Sequence, residues 1–148
     1  MKLEKYLIER EIPMRNGKTV PIKKVVGYHV TRAENVDSIL KNGFDLSRMR
    51  PNWVNDLAVS LDTKDLKSAS RFFTRTGEKF DSSKYAILKV EVRGRFYDRD
   101  LDGSFILSSA PQQYNREMVR AGFDAAELPG NMVYVYNVKA IERITKVA

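Results

Sequence analysis

No cysteine occurs among the 148 residues, so the chain can form neither a disulfide framework nor a thiolate metal site. Its single histidine argues against zinc. No apolar run approaches the ~18 residues that a membrane span needs. The opening Met1-Lys2-Leu3-Glu4-Lys5-Tyr6 lacks the apolar centre of a secretory signal. These absences lead to the expectation of a cytoplasmic protein, or one packaged in a virion or delivered into a host cell, that works without a metal or a membrane. Repeats, low-complexity tracts and linker-like stretches are also missing, which points to one domain over residues 1–148.

What is present is an ordinary globular balance, 43% hydrophobic and 30% charged. Lysine and arginine number 26 against 19 acidic residues, a net charge of +7. That excess suits an acidic partner such as nucleic acid, a nucleotide or an acidic protein, and it also serves solubility. The cations are spread over Arg15 to Lys24, Lys41 to Arg50, Lys64 to Lys79 and Lys139 to Lys146, so no single basic helix stands out.

Along the chain, Asn16-Gly17 signals a tight hairpin between short extended stretches, with Pro13 and Pro21 favouring an edge position. Residues 1–24 are read as an N-terminal hairpin extension. Lys24 to Val30 reads as a strand. Thr31-Arg32-Ala33-Glu34 has the form of a capping box, which predicts a helix over about residues 32–42. Val36, Ile39 and Leu40 supply its apolar face, and Gly43 its C-terminal stop. Leu57 to Leu61 reads as a short strand, followed by a helix capped by Asp62, with Leu66, Ala69, Phe72 and Phe73 on one side. Tyr85 to Val92 alternates as a half-buried strand does, ending before Gly94. A helix over 112–120, a strong strand over Met132 to Val138 and a weaker one over Ile141 to Val147 complete an α+β reading.

Few residues are equipped for chemistry. His29 ends the first predicted strand just before a helix N-terminus, where unpaired N–H groups favour a polar or anionic ligand. Read alone, it fits a satisfied structural histidine as well as a ligand, and Thr31 is explained by capping.

The order of landmarks adds to this. Val26-Gly27-Tyr28-His29-Val30-Thr31, then Ile39-Leu40-Lys41-Asn42-Gly43-Phe44, resembles the opening of ADP-ribosyltransferase-like domains. Ala58-Val59-Ser60-Leu61-Asp62, with Ala69 and Phe72, looks like their second block. Gly122-Phe123-Asp124, with Met132 to Asn137 and Ile141, is similar to their closing one. The resemblance spans about residues 25–144. It implies two packed, mostly antiparallel sheets with a few short helices, and NAD as substrate.

Roles then follow from the resemblance. The Tyr28-His29-Val30-Thr31 segment would open the dinucleotide pocket, with His29 holding a ribose and the Val30 backbone pairing with the nicotinamide carboxamide. Phe72 would stack near the nicotinamide ring or serve the core. Ser60 would touch the ring pocket or face solvent. The implied reaction is displacement of nicotinamide from the ribose carbon through an oxocarbenium-like state, which a carboxylate stabilises. Relatives carry that carboxylate near the start of the last strong strand, where this chain has Asn131-Met132. Glu127 is the nearest candidate, as catalyst or as an ordinary loop carboxylate, and Asp124 the next. The leading expectation is transfer of ADP-ribose from NAD to a macromolecular acceptor, protein or nucleic acid. The alternatives are a non-catalytic module on the same fold that binds a nucleotide, nucleic acid or protein, and an RNA-phosphate-processing transferase that would gather Arg32, Arg48, Arg50 and Arg71 around the pocket.

Overall fold

The computed structural model describes residues 11–14, 17–46, 58–71, 80–98, 118–128 and 130–148. Six strands dominate: β1 (Ile22–Arg32), β2 (Val59–Asp62), β3 (Tyr85–Tyr97), β4 (Ala125–Leu128), β5 (Met132–Val135) and β6 (Ile141–Lys146). Two short helices, α1 (Val36–Asn42) and α2 (Leu66–Arg71), follow β1 and β2, and residues 118–121, at the end of the helix expected over 112–120, are helical as well. Single 3-10 turns precede α1 at Ala33–Asn35 and β6 at Val138–Ala140. No helix among the described residues is long and apolar enough to cross a membrane.

The strands close on themselves. Their order is β1-β2-β5-β4-β3-β6, and β1 also pairs with β3, so five strands form a ring and β6 is an added flank. β1 and β3 run antiparallel over the whole of β1, from Ile22 opposite Arg95 to Arg32 opposite Tyr85. The other edge of β3 is divided: β6 takes Leu88 to Val92, and β4 pairs in parallel with Phe96 and Tyr97. The ring is narrow at one join, where β1 meets β2 only through Tyr28 opposite Asp62.

Alternation explains the closure. Each ring strand presents one small or β-branched face, and opposed residues share a face. Val25, Val59, Leu61, Leu88, Val90, Val92, Ala125, Val133 and Val135 all point inward into one core. Curling the sheet buries every one of these faces at once, which two separate layers of such short strands would not. A second core covers the outside, where Ile12 and Val20 of the N-terminal hairpin meet Met118, Phe123, Ala126 and Tyr136.

The expected fold is therefore corrected. The two packed sheets of an α+β, ADP-ribosyltransferase-like layout do not form, because one strand set closes into a barrel with short helices at its margins. Residues 125–128, read as loop, are β4, the strand that completes the ring. Gly94 does not end β3, which continues to Tyr97. It admits Asp124 instead, since a Cβ there would lie 2.5 Å from Asp124 Oδ2.

Smaller expectations shift as well. Thr31 lies within β1 opposite Ala86, and neither helical segment after it has a side-chain N-cap, so the capping box is not made. Helical structure begins as a 3-10 turn at Ala33 and ends where expected, at Gly43 with φ 78°. Asp65, not Asp62, caps α2, accepting from Ser68 N at 2.6 Å. Asp62 accepts from Lys64 N at 2.8 Å. The N-terminal hairpin is present, with Pro13 bridged to Thr19 and Gly17 at φ 82°; Asn16 lies outside the described residues.

Candidate functional site

The β1–β2 join is the chemically distinctive place. Gly27 allows it: a Cβ there would stand 2.7 Å from Leu61 Cβ, closer than real Cβ atoms approach. The two strands touch at Tyr28 and Asp62 and then part. His29 fills the opening. Its Nδ1 lies 2.8 Å from the Ser60 carbonyl, and because a carbonyl only accepts, Nδ1 carries the proton and donates it. Phe44, just beyond α1, meets the ring edge-on with centroids 5.1 Å apart.

This geometry fixes the state of the imidazole. Burial pushes the His29 pKa below its ordinary value, and the Ser60 hydrogen bond opposes that shift without reversing it. A neutral ring protonated on Nδ1 has a lone pair on Nε2. Among the described residues, no group donates to that lone pair.

A cavity of about 40 Å³ opens at the same join, lined by Tyr28, His29, Val30, Ser60, Asp62, Ala69 and Met132. Five of these seven come from β1 and β2, Ala69 closes the cavity from α2, and Met132 is the first residue of β5. Asp62 uses one carboxylate oxygen on Lys64 N, and its other oxygen has no donor among the described residues. Among the described residues, the lining thus includes the acceptors His29 and Asp62 and no lysine or arginine.

Four of the expected cofactor-binding residues, Tyr28, His29, Val30 and Ser60, come together here. Thr31 does not line the cavity, and Phe72 lies outside the described residues. His29 is not at a helix N-terminus, because β1 runs three residues beyond it.

Glu127 is elsewhere. It faces the barrel interior opposite Val133, as His29 does opposite Leu88, but it forms an ion pair with Lys23. Lys23 lies six residues before His29 on β1, about 20 Å along an extended strand. Lys23 Nζ also sits 5.6 Å from the centre of the Phe96 ring. Val25 and Gly27 occupy the same face of β1 between the two polar ends.

Asp124 is buried and committed. Its carboxylate accepts from Arg95 N at 2.9 Å and Asn137 Nδ2 at 2.8 Å. Of the four arginines, Arg32 is exposed beside Glu34 and does not line the cavity, and Arg48 and Arg50 lie outside the described residues. Arg71 ends α2.

Two lining residues were not anticipated as a pair. Asp62 was assigned to capping, although its place one residue after the predicted strand made the cavity equally accessible. Met132 occupies the position to which the resemblance assigns a carboxylate, and it lines the cavity with His29. Among the described residues, no three His, Cys, Asp or Glu side chains gather as a metal site requires. No protein-family model and no curated protein matches this chain.

Proposed function

We propose that the protein binds NAD at the β1–β2 join and transfers its ADP-ribosyl group to a macromolecular acceptor. One observation supports this reading most: His29, neutral and with an Nε2 lone pair that no described residue claims, and Asp62, with an oxygen that no described residue donates to, both line one cavity. Two acceptors match a ligand that offers two donors, and the neighbouring hydroxyls of a ribose do so. A phosphate, which offers no donors, would need cations, and none is found among the described lining residues. The volume of about 40 Å³ admits the hydroxyl-bearing edge of a sugar, with the rest of the dinucleotide outside.

In the transfer, the bond between ribose C1 and the nicotinamide nitrogen breaks, and its electron pair leaves with nicotinamide. The acceptor nucleophile bonds to C1 and gives up its proton. The Asp62 carboxylate stabilises the positive charge that develops on the sugar, and the low dielectric at the join strengthens that effect. His29 orients the ribose as a hydrogen-bond acceptor. The net charge of +7 favours an acidic acceptor. Purified protein incubated with labelled NAD and cell lysate tests the proposal; absence of both label transfer and nicotinamide release rejects it.

A binding module without turnover is the second reading, favoured by Met132 lining the cavity and Glu127 being held by Lys23. Calorimetry that detects NAD binding while nicotinamide release stays at the uncatalysed level supports this alternative.

A further inference from the structure

β6 is an edge strand. It pairs with β3, and among the described residues no strand pairs with its other side. Beside it, between β6 and the end of α1, runs a groove of about 320 Å³. Ile39, Leu40, Phe44 and Ile144 contribute apolar surface, and Leu40 is 45% exposed. Lys139 and Arg143 line the same groove. The one carboxylate among its described lining residues, Glu142, is already occupied by Lys24 at 3.7 Å and Arg93 at 3.8 Å. Lys139 has no carboxylate partner among the described residues, and Arg143 has only an exposed contact with Glu91 at 3.9 Å.

We infer that the β6 edge and the groove beside α1 dock an extended, acidic segment of a partner protein. An open strand edge supplies a row of backbone donors and acceptors for an added strand, and alternate side chains of that strand fall into the apolar groove. The cations choose among occupants. A second copy of this chain would add another Lys139 and Arg143 to an edge that already carries these cations, and like charges brought together repel. An acidic segment relieves them. A nucleic acid would satisfy the charge but has no peptide backbone to continue the ladder.

The docking surface reaches the His29 region through one residue, because Phe44 lines the groove and meets the imidazole edge-on. The inference does not depend on NAD binding, but it provides a separate signal, since His29 is the only histidine.

The test titrates the full chain, isotopically labelled for NMR, with a peptide of about eight residues alternating glutamate and valine. A matched peptide with lysine in place of glutamate is the control. Docking predicts saturable shifts of the β6 amides and of the His29 imidazole with the acidic peptide alone. Affinity falls about tenfold in Lys139→Glu, through charge, and in Leu40→Glu, through the groove floor. Both side chains are exposed, so each variant retains the barrel. Unmoved β6 amides, equal binding of the lysine peptide, or tighter binding of a single-stranded RNA at the same residues overturns the inference.

Discussion

Gly27 and Leu61 face each other where β1 touches β2, so closely that a methyl on Gly27 would lie 2.7 Å from Leu61 Cβ and 3.3 Å from the Asp62 carbonyl. Both obstacles are main chain or attached directly to it, so neither can swing aside. Gly27→Ala is expected to push β2 away from β1 and cost about 1–3 kcal/mol, the usual range for overpacking. It should also break the His29–Ser60 hydrogen bond. Urea unfolding measures the first effect and the nitrogen spectrum of the single imidazole the second. An unchanged spectrum would show that the close approach does not hold the site.

His29 makes stability depend on pH in a defined direction. Its folded pKa is depressed, chiefly by burial, from an unfolded value of about 6.5. Below about pH 6.5 the unfolded chain therefore binds the proton more readily than the folded one. The contribution is complete above that value and is lost as pH falls towards the folded pKa. His29→Asn retains an amide donor for the Ser60 carbonyl and does not titrate, so its stability profile should be flatter than that of the wild type between about pH 6.5 and the folded pKa. Paired urea titrations at successive pH values measure the difference. If NAD binds through the Nε2 lone pair as proposed, its binding should persist across that range and weaken only as pH falls through the folded pKa.

Local alternation made much of the barrel legible. β3 was visible because Leu88, Val90 and Val92 recur at every second position, and β1, β5 and β6 because their runs are rich in β-branched residues. β4 was not, because Ala125-Ala126-Glu127-Leu128 has no β-branched residue and its strand character comes from its neighbours. Closure was invisible in principle: an inward face and a face packed on a second layer leave the same period-two pattern. The Thr31 capping box misled because a long pairing with β3 carries the backbone extended through Arg32 and overrides a weak local preference. The His29 cluster was readable as a segment, whereas the contributions of Asp62 and Met132 depend on β1–β2 and β2–β5 register.

Register also separates the carboxylates. Asp62 lines the His29 cavity, whereas Glu127 is paired with Lys23 far along β1. Asp62→Asn is expected to lower NAD turnover by about 100-fold or more, the scale for losing one preorganised electrostatic group. Glu127→Gln should leave turnover within a few-fold and lower stability slightly. The reverse result would return the catalytic role to Glu127. Met132→Glu places a second carboxylate in the cavity and should raise nicotinamide release if a missing charge limits the wild type. Quantified nicotinamide release in the three variants distinguishes these roles.

Arg95 presents the opposite problem, a buried charge with too few partners. It is 4% exposed, and among the described residues Nε and Nη1 have no hydrogen-bond partner. Its backbone N–H, by contrast, binds Asp124 Oδ2, and Asp124 also receives Asn137 Nδ2 and sits against Gly94. Replacing the side chain leaves that backbone bond intact. Arg95→Met is therefore expected to be neutral or to stabilise the fold by about 1–3 kcal/mol, because the cost of desolvating an uncompensated guanidinium disappears. Asp124→Ala should destabilise by about 2–4 kcal/mol, since it strands the buried Arg95 N–H and the half-buried Asn137 amide and leaves a gap beside Gly94. Thermal and urea unfolding of both variants checks the contrast. A large loss of stability in Arg95→Met would mean that the guanidinium is held by a partner and contributes to the second core.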